Sequence, residues 1–276
     1  MRDANTPQLP IVVGIDGSQA AIRAAEWAVD EAVSREVPLR LVEVIPQQAE
    51  PAPLAAVGNV RMELEYGETA LGIASAAVTA SGQPVKVETA ILRGDPATAL
   101  IAESRDAEMV CVGSTGIGRF ARALLGSTVA ELAEAAHCPV AIIRTHQSRP
   151  KPGSSLIVVA VNDSPGNDDV VEQAIREAQL RHAPVLALGV WRQDLGKMPY
   201  DELDRRVRFW EQHYPSVQFH ARATRTGITD FLDVSDSRIQ LAVIGSSDID
   251  HVARLIGPHR HPILGHAECS VLIVRS

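Results

Sequence analysis

Two short stretches of this 276-residue chain carry the residue types that grip an anion. One apolar run ends in Gly14-Ile15-Asp16-Gly17-Ser18. Another ends in Gly113-Ser114-Thr115-Gly116-Ile117-Gly118-Arg119, and Gly126-Ser127-Thr128 follows at the start of a helical pattern. Glycines let backbone N–H groups come close to a phosphate and adopt positive φ. A helix N-terminus adds unpaired N–H donors and a favourable dipole. Ser127 and Thr128 could add hydroxyl donors, and Arg119 and Arg122 positive charge. The bland alternative is turn chemistry after strands, with Ser127 as a helix cap.

Two familiar phosphate loops do not fit. Gly113 and Gly118 have the spacing of a Walker loop, but Arg119-Phe120 stands where Gly-Lys-Ser/Thr is needed. A dinucleotide fingerprint requires Gly-x-Gly-x-x-Gly directly after the first strand, and Ile-Asp-Gly-Ser follows Gly14 instead. No lysine follows the glycines, and no paired carboxylates or nucleophile–base spacing stands out, so no catalytic residue is assigned.

Other clusters read more simply. His251, His259, His261 and His266 lack helical i, i+4 spacing or a cysteine partner, and Pro262 interrupts them, so solvated loop histidines are expected and no metal site. Trp210 and Tyr214 fall with Val207 on one helix face, which together with Trp191 suggests packing, not base stacking. Glu63, Glu65 and Glu68 read as an exposed helix face.

The elements that must position the glycines occur twice. IVVGIDGS from Ile11 matches IVVAVNDS from Ile157, and EAVSREVPLRLVEV from Glu31 matches EAQLRHAPVLALGV from Glu177, both at an offset of 146. The offset falls to 132 where AEMVCVG, ending at Gly113, faces IQLAVIG, ending at Gly245. HCPVAIIR from His137 then faces ECSVLIVR from Glu268. A deletion in the second copy, between the counterparts of Ile45 and Val85, accounts for the change. Two domains are expected, 1–146 and 155–276, joined by the Pro- and Ser-containing linker between them.

In the first copy strands are expected at Ile11–Ile15, Leu39–Ile45, Val85–Leu92, Met109–Val112 and Val140–Arg144. Helices are expected after the first strand, across Met62–Thr79, from Asp95-Pro96 (cap and first turn) to Glu103, and at Ser127–Ala136. Ile22, Ala25, Val29 and Val33 mark the buried stripe of the first helix, with Arg23, Glu26 and Asp30 opposite. Pro46 to Gly58 reads as a loop. Short, β-branched, continuously apolar strands belong to sheets covered on both faces. Repeated βα units then give an α/β fold of two tandem, doubly wound parallel sheets, with any ligand beyond the carboxyl ends of the strands.

Composition limits the function. Apolar residues are 46%, aromatics 4% and charged residues 22%, enough apolar material for a core of Val, Ile, Leu and Ala. A net charge of −8 excludes a duplex-binding surface of the usual kind, so no nucleic-acid partner is expected. Cys111, Cys138 and Cys269 are an odd number without paired spacing, which suits a reducing compartment. The N-terminus has no signal-peptide pattern and no run reaches membrane-spanning length, so a cytoplasmic protein without membrane contact is expected.

The arrangement Gly113-x2-Gly116-x9-Gly126-Ser127 resembles the nucleotide motif of ATP-binding universal stress proteins, and GIDGS and CPVAIIR agree with it. The resemblance covers both halves. It implies a Rossmann-like, five-stranded parallel sheet in the order 3-2-1-4-5, which sets the ends of strands 1 and 4 side by side. It places Gly14, Asp16 and Val44 on the adenine side, and Val112 and Gly113 at the ribose. Gly116, Gly118, Arg119, Gly126, Ser127 and Thr128 would surround the phosphates. A carboxylate beside phosphates also suits magnesium, but the resemblance puts Asp16 with the base. ATP, with or without Mg, is therefore the expected ligand, with cyclic AMP sharing the adenine side.

The second half departs from this pattern. Asp248 takes the place of the second glycine, Pro258 replaces Ser127, the spacer is one residue short, and Asn162 stands for Asp16. One nucleotide per chain is expected. The resemblance further implies a regulatory module for stress survival, an unknown protein partner, and intramolecular pairing of the two domains through their last strands; homodimerisation is left open. The rival readings are a weak ATPase or other nucleotide-handling enzyme, and a ligand-free platform for a protein partner.

Overall fold

The computed structural model describes residues 8–46, 55–114, 127–144, 155–190, 199–224, 228, 231, 239–246 and 269–275. The chain divides into two compact units, Met1–Thr145 and His146–Ser276.

In the first unit the described elements are β1 (Ile11–Ile15), α1 (Gln19–Arg35), β2 (Leu39–Ile45), α2 (Ala55–Ala80), β3 (Val87–Arg93), α3 (Pro96–Glu103), β4 (Met109–Gly113), α4 (Ser127–Ala135) and β5 (Val140–Ile143). The strand order is β3-β2-β1-β4-β5, and each neighbouring pair runs parallel. Strands β1, β2, β4 and β5 are almost wholly buried, as the unbroken Val/Ile/Leu runs require. Strand β3 lies at the edge and alternates more polar residues.

Local chemistry sets the helix ends. Ser18 caps α1 by accepting the N–H of Ala21 at 3.1 Å. Asp95 caps α3 by accepting from the Thr98 N–H at 2.8 Å, with Pro96 in the first turn. The buried stripe of α1 differs from the one expected. Ala21, Ala24, Ala25, Ala28, Val29 and Ala32 form it, while Ile22 and Val33 sit at its margins. Alanine brings the helix axis close to the sheet, which larger side chains at the centre would prevent. Helix α2 begins at Ala55, inside the segment expected to be loop up to Gly58. Alanines favour helix enough to outweigh the single glycine there.

The second unit contains β6 (Leu156–Val161), α5 (Asn167–Arg181), β7 (Val185–Val190), α6 (Pro199–His213), β8 (Phe219–Thr224), β9 (Ile239–Gly245) and β10 (Ser270–Val274). Its strand order, β8-β7-β6-β9-β10, is that of the first unit, again with parallel neighbours. The duplication extends to fine detail. Glu31 is buried and bonded to Arg35 at 3.2 Å, and Glu177, 146 positions on, is buried and bonded to Arg181 at 3.0 Å. Helices α1 and α5 both end on a left-handed residue, Glu36 and His182. Val207 and Trp210 are buried on α6, so their packing role is as expected; Trp191 lies outside the described residues.

Candidate functional site

Strands β1 and β4 are neighbours, with Val13 opposite Cys111. The chain winds towards β2 on one side of β1 and towards β4 on the other, so their carboxyl ends flank the switch point of the sheet. The turn leaving β1 is tightly built. Asp16 Oδ1 accepts the Ser18 N–H at 3.0 Å, and Gly17 has φ +78°. The hydroxyl of Tyr66, on α2, fills the space that a Cβ on Gly17 would need, and donates to the Asp16 carbonyl at 3.2 Å. The positive φ requires glycine at position 17, and the missing Cβ leaves the space that the Tyr66 hydroxyl fills.

Gly14 and Gly113 owe their identity to packing as well. A Cβ on Gly14 would stand 3.0 Å from Leu100 Cδ1 and 3.3 Å from Val112 Cγ1. A Cβ on Gly113 would fall 2.6 Å from the Ala20 carbonyl carbon and 2.8 Å from the Ala21 nitrogen. The first turn of α1 can therefore lie on β4 only because residue 113 has no side chain. Gly14 is paired with Val42, so Val44, two residues on, presents its side chain to the same face as the Cβ position of Gly14. Val44 and Val112 are nearly buried, at 9% and 5% exposure. Together they give the strand ends an apolar floor.

The fold thus brings Gly14, Asp16, Val112 and Gly113 to one switch point, with Val44 one strand away. Ser127 is the exposed first residue of α4 and Thr128, next to it, is half-buried. Gly116, Gly118, Arg119 and Gly126 lie outside the described residues, as do Arg122 and the four histidines between 251 and 266.

One group at this site escaped the reading of motifs. Glu43, in the apolar run of β2, pairs in register with Ile15 and is buried, at 8% exposure. Its Oε2 is buried without a hydrogen-bond partner. Its Cγ lies 3.1 Å from where a Cβ on Gly67 would be, so the glycine makes room for it on α2. Burial, and then the charge of Asp16, push the Glu43 carboxyl up to about 7. Burial, Asp16 and Glu43 also raise the phenol of Tyr66. The signal for Glu43 was present as a lone acid among Leu, Val and Ile. Tyr66 gave none, because only the assembled sheet brings α2 against the β1 turn.

The corresponding place in the second unit is filled differently. Asn162 Oδ1 accepts the Ser164 N–H at 2.9 Å, repeating the Asp16 turn without its charge. Asn167, at the start of α5, accepts the Asn162 N–H at 3.1 Å and donates to the Ala160 carbonyl at 2.9 Å. Arg206, on α6, donates to the Asn162 carbonyl at 3.2 Å and to Asp168 at 2.7 Å. Gly189 stands at the offset position of Glu43. Asp248 and Pro258 lie outside the described residues.

Among the described residues no group of three His, Cys, Asp or Glu side chains could hold a metal ion. No described helix is long and apolar enough to cross a membrane. Cys111, Cys138 and Cys269 are buried and form no disulfide.

Comparison with known proteins gives a consistent result. A family model described as the universal stress protein family matches residues 9–144 and 155–275. A universal stress protein of Mycobacterium tuberculosis is 51% identical over 265 residues, 96% of each chain. A second from that organism is 38% identical over 96% of this chain and 95% of its own. The crystal structure of a universal stress protein from Archaeoglobus fulgidus aligns with a TM-score of 0.71 over 96% of both chains at 16% identity, a likeness of fold.

Proposed function

The chain belongs to the universal stress protein family, and from that premise we propose that its first half binds an adenine nucleotide, ATP first among them, at the ends of β1 and β4. The observation that carries this reading is the convergence of Asp16, Gly113 and the Val44–Val112 floor on the switch point of a doubly wound sheet. An apolar floor suits a purine, and Asp16 supplies a carboxylate acceptor for its amino group. Val112 and Gly113 border the ribose. The phosphates fall to the segment between Gly116 and Thr128, where Gly116, Gly118, Arg119 and Gly126 precede Ser127 and Thr128 in the first turn of α4. A magnesium ion would accompany the phosphates, with oxygen ligands from them and from water.

Occupancy then favours whichever conformation binds nucleotide best, and so regulates the association of the protein with a partner without turnover. No lysine follows the glycine segment to stabilise a departing phosphoryl group. Three buried cysteines outside any disulfide fit a reducing cytoplasm.

The test is to denature the purified chain and identify released small molecules by mass spectrometry, then titrate the emptied protein with ATP. About one ATP per chain is expected, with binding abolished by Gly116→Glu and by Ser127→Pro, the latter copying the residue in the second half. No binding of ATP, AMP or cyclic AMP would remove the proposal. Steady ADP release over many turnovers would replace it with an enzyme.

A further inference from the structure

The first unit carries a buried acid for which the nucleotide site, as described, has no use. Glu43 lies near the carboxyl end of β2, between Ile15 of β1 and Ile91 of the edge strand β3, with one carboxyl oxygen unpartnered. Burying a carboxylate without a compensating donor is costly, and proteins ordinarily avoid it by protonation or by pairing. Among the described residues no cation offsets Glu43. The titratable groups facing it are Asp16 from the end of β1 and Tyr66 from α2. Its other neighbours, Ile91 across the sheet and Ile45 along the strand, are apolar, and Arg93 at the end of the edge strand is exposed.

The three groups meet at one turn. Tyr66 holds the Asp16 carbonyl and covers Gly17, and Gly67 of the same helical turn makes room for Glu43. The duplicated site shows what this turn needs for folding alone. There Asn162 repeats the side-chain-to-backbone bond, Arg206 holds the carbonyl, and Gly189 stands for Glu43. Neither acid is required to build the turn. Both occur only in the half that carries the glycine motif.

We propose that Glu43 makes nucleotide binding a proton-linked event, the first unit taking up a proton on this carboxyl as the site fills. The inference rests on the proposed nucleotide site. A nucleotide at the ends of β1 and β4 removes solvent from around Asp16, and its phosphates bring further negative charge to the same end of the sheet as Glu43. Asp16 serves the base as a hydrogen-bond acceptor. Glu43 has no acceptor role and its environment disfavours a charge, so it is the group that takes the proton from solvent. Burial and Asp16 already place the empty site's carboxyl near 7, and a filled site raises it further. The sign follows: the form with nucleotide binds protons more tightly, so affinity is highest below that value and falls as pH rises through and above it. Glu43 is therefore a positioning residue that never touches the ligand.

Calorimetric titration of the full chain with ATP from pH 6 to pH 8.5, for the wild type and for Glu43→Gln, tests this. ATP's own terminal phosphate titrates in the same range, and the comparison between the two proteins cancels it. The ratio of wild-type to variant affinity is expected to fall about five- to tenfold across neutrality, bounded by tenfold per pH unit for a single proton. Parallel profiles would overturn the inference while leaving the nucleotide site intact. Absence of binding by both proteins at every pH would remove the site and the inference together. Should Glu43→Gln fail to fold, Glu43→Met, neutral and of similar volume, makes the same comparison.

Discussion

The ends of β1 and β6 began as one structure and now do opposite things with charge. At β1, Asp16 and Glu43 place two acids around a turn whose carbonyl is held by a neutral phenol. At β6, Asn162 and Gly189 carry no charge, and the same carbonyl is held by the guanidinium of Arg206, itself paired with Asp168. The backbone around Asn162 is further tied down by Asn167, where the first unit has Ala21. The turn after β6 satisfies its polar groups internally. A turn that keeps a buried acid unpaired gives up stability that the other copy retains.

The contrast can be broken at several points. The largest effect is expected from Gly113→Ala, because the new Cβ meets the backbone of α1 and not a movable side chain. A loss of about 3 kcal/mol in urea unfolding is expected, and an unchanged midpoint would mean that α1 can lift off β4. Next is Glu43→Gln measured against pH. The folded-state value near 7 lies above the ordinary 4.5, so the native state holds its proton longer than the unfolded chain. Stability is therefore lost as pH rises from about 4.5 to about 7, and the loss is complete above that. Glu43→Gln should accordingly be more stable than the wild type by about 3 kcal/mol at pH 8 and show no gain at pH 4.5. Equal stability at both values would place Glu43 in contact with water. Smaller is Asn167→Ala, which copies the first unit and orphans the Asn162 N–H and the Ala160 carbonyl. A cost of about 1–2 kcal/mol is expected, and none would mean that water replaces both bonds.

Much of the fold could be read directly. The Asp95-Pro96 start of α3, the span of β1 and β2 and the twofold repeat all follow from short-range patterns. The errors also have local causes. The first stripe on α1 was drawn through Ile22 and Val33 because they are the larger apolar residues, whereas the sheet accepts the alanine face. Helix α2 starts earlier than its composition suggested. At the site, Gly14, Asp16, Val112 and Gly113 were identified by motif, but the packing need for two of these glycines was invisible until α1 and α3 were in place.

By itself the sequence determined the duplication, the alternation of strands and helices, the caps, and which half retains a glycine motif. All of these depend on residues within a few positions of one another, or on repeats that can be matched letter by letter. Tertiary structure alone decided that Glu43 is buried beside Asp16, that Tyr66 reaches across 50 positions to the same turn, and that Arg206 takes over that duty in the other copy. Such contacts exist only after parallel strands have been brought together through long crossovers, and no local pattern of residues encodes which distant side chain arrives there.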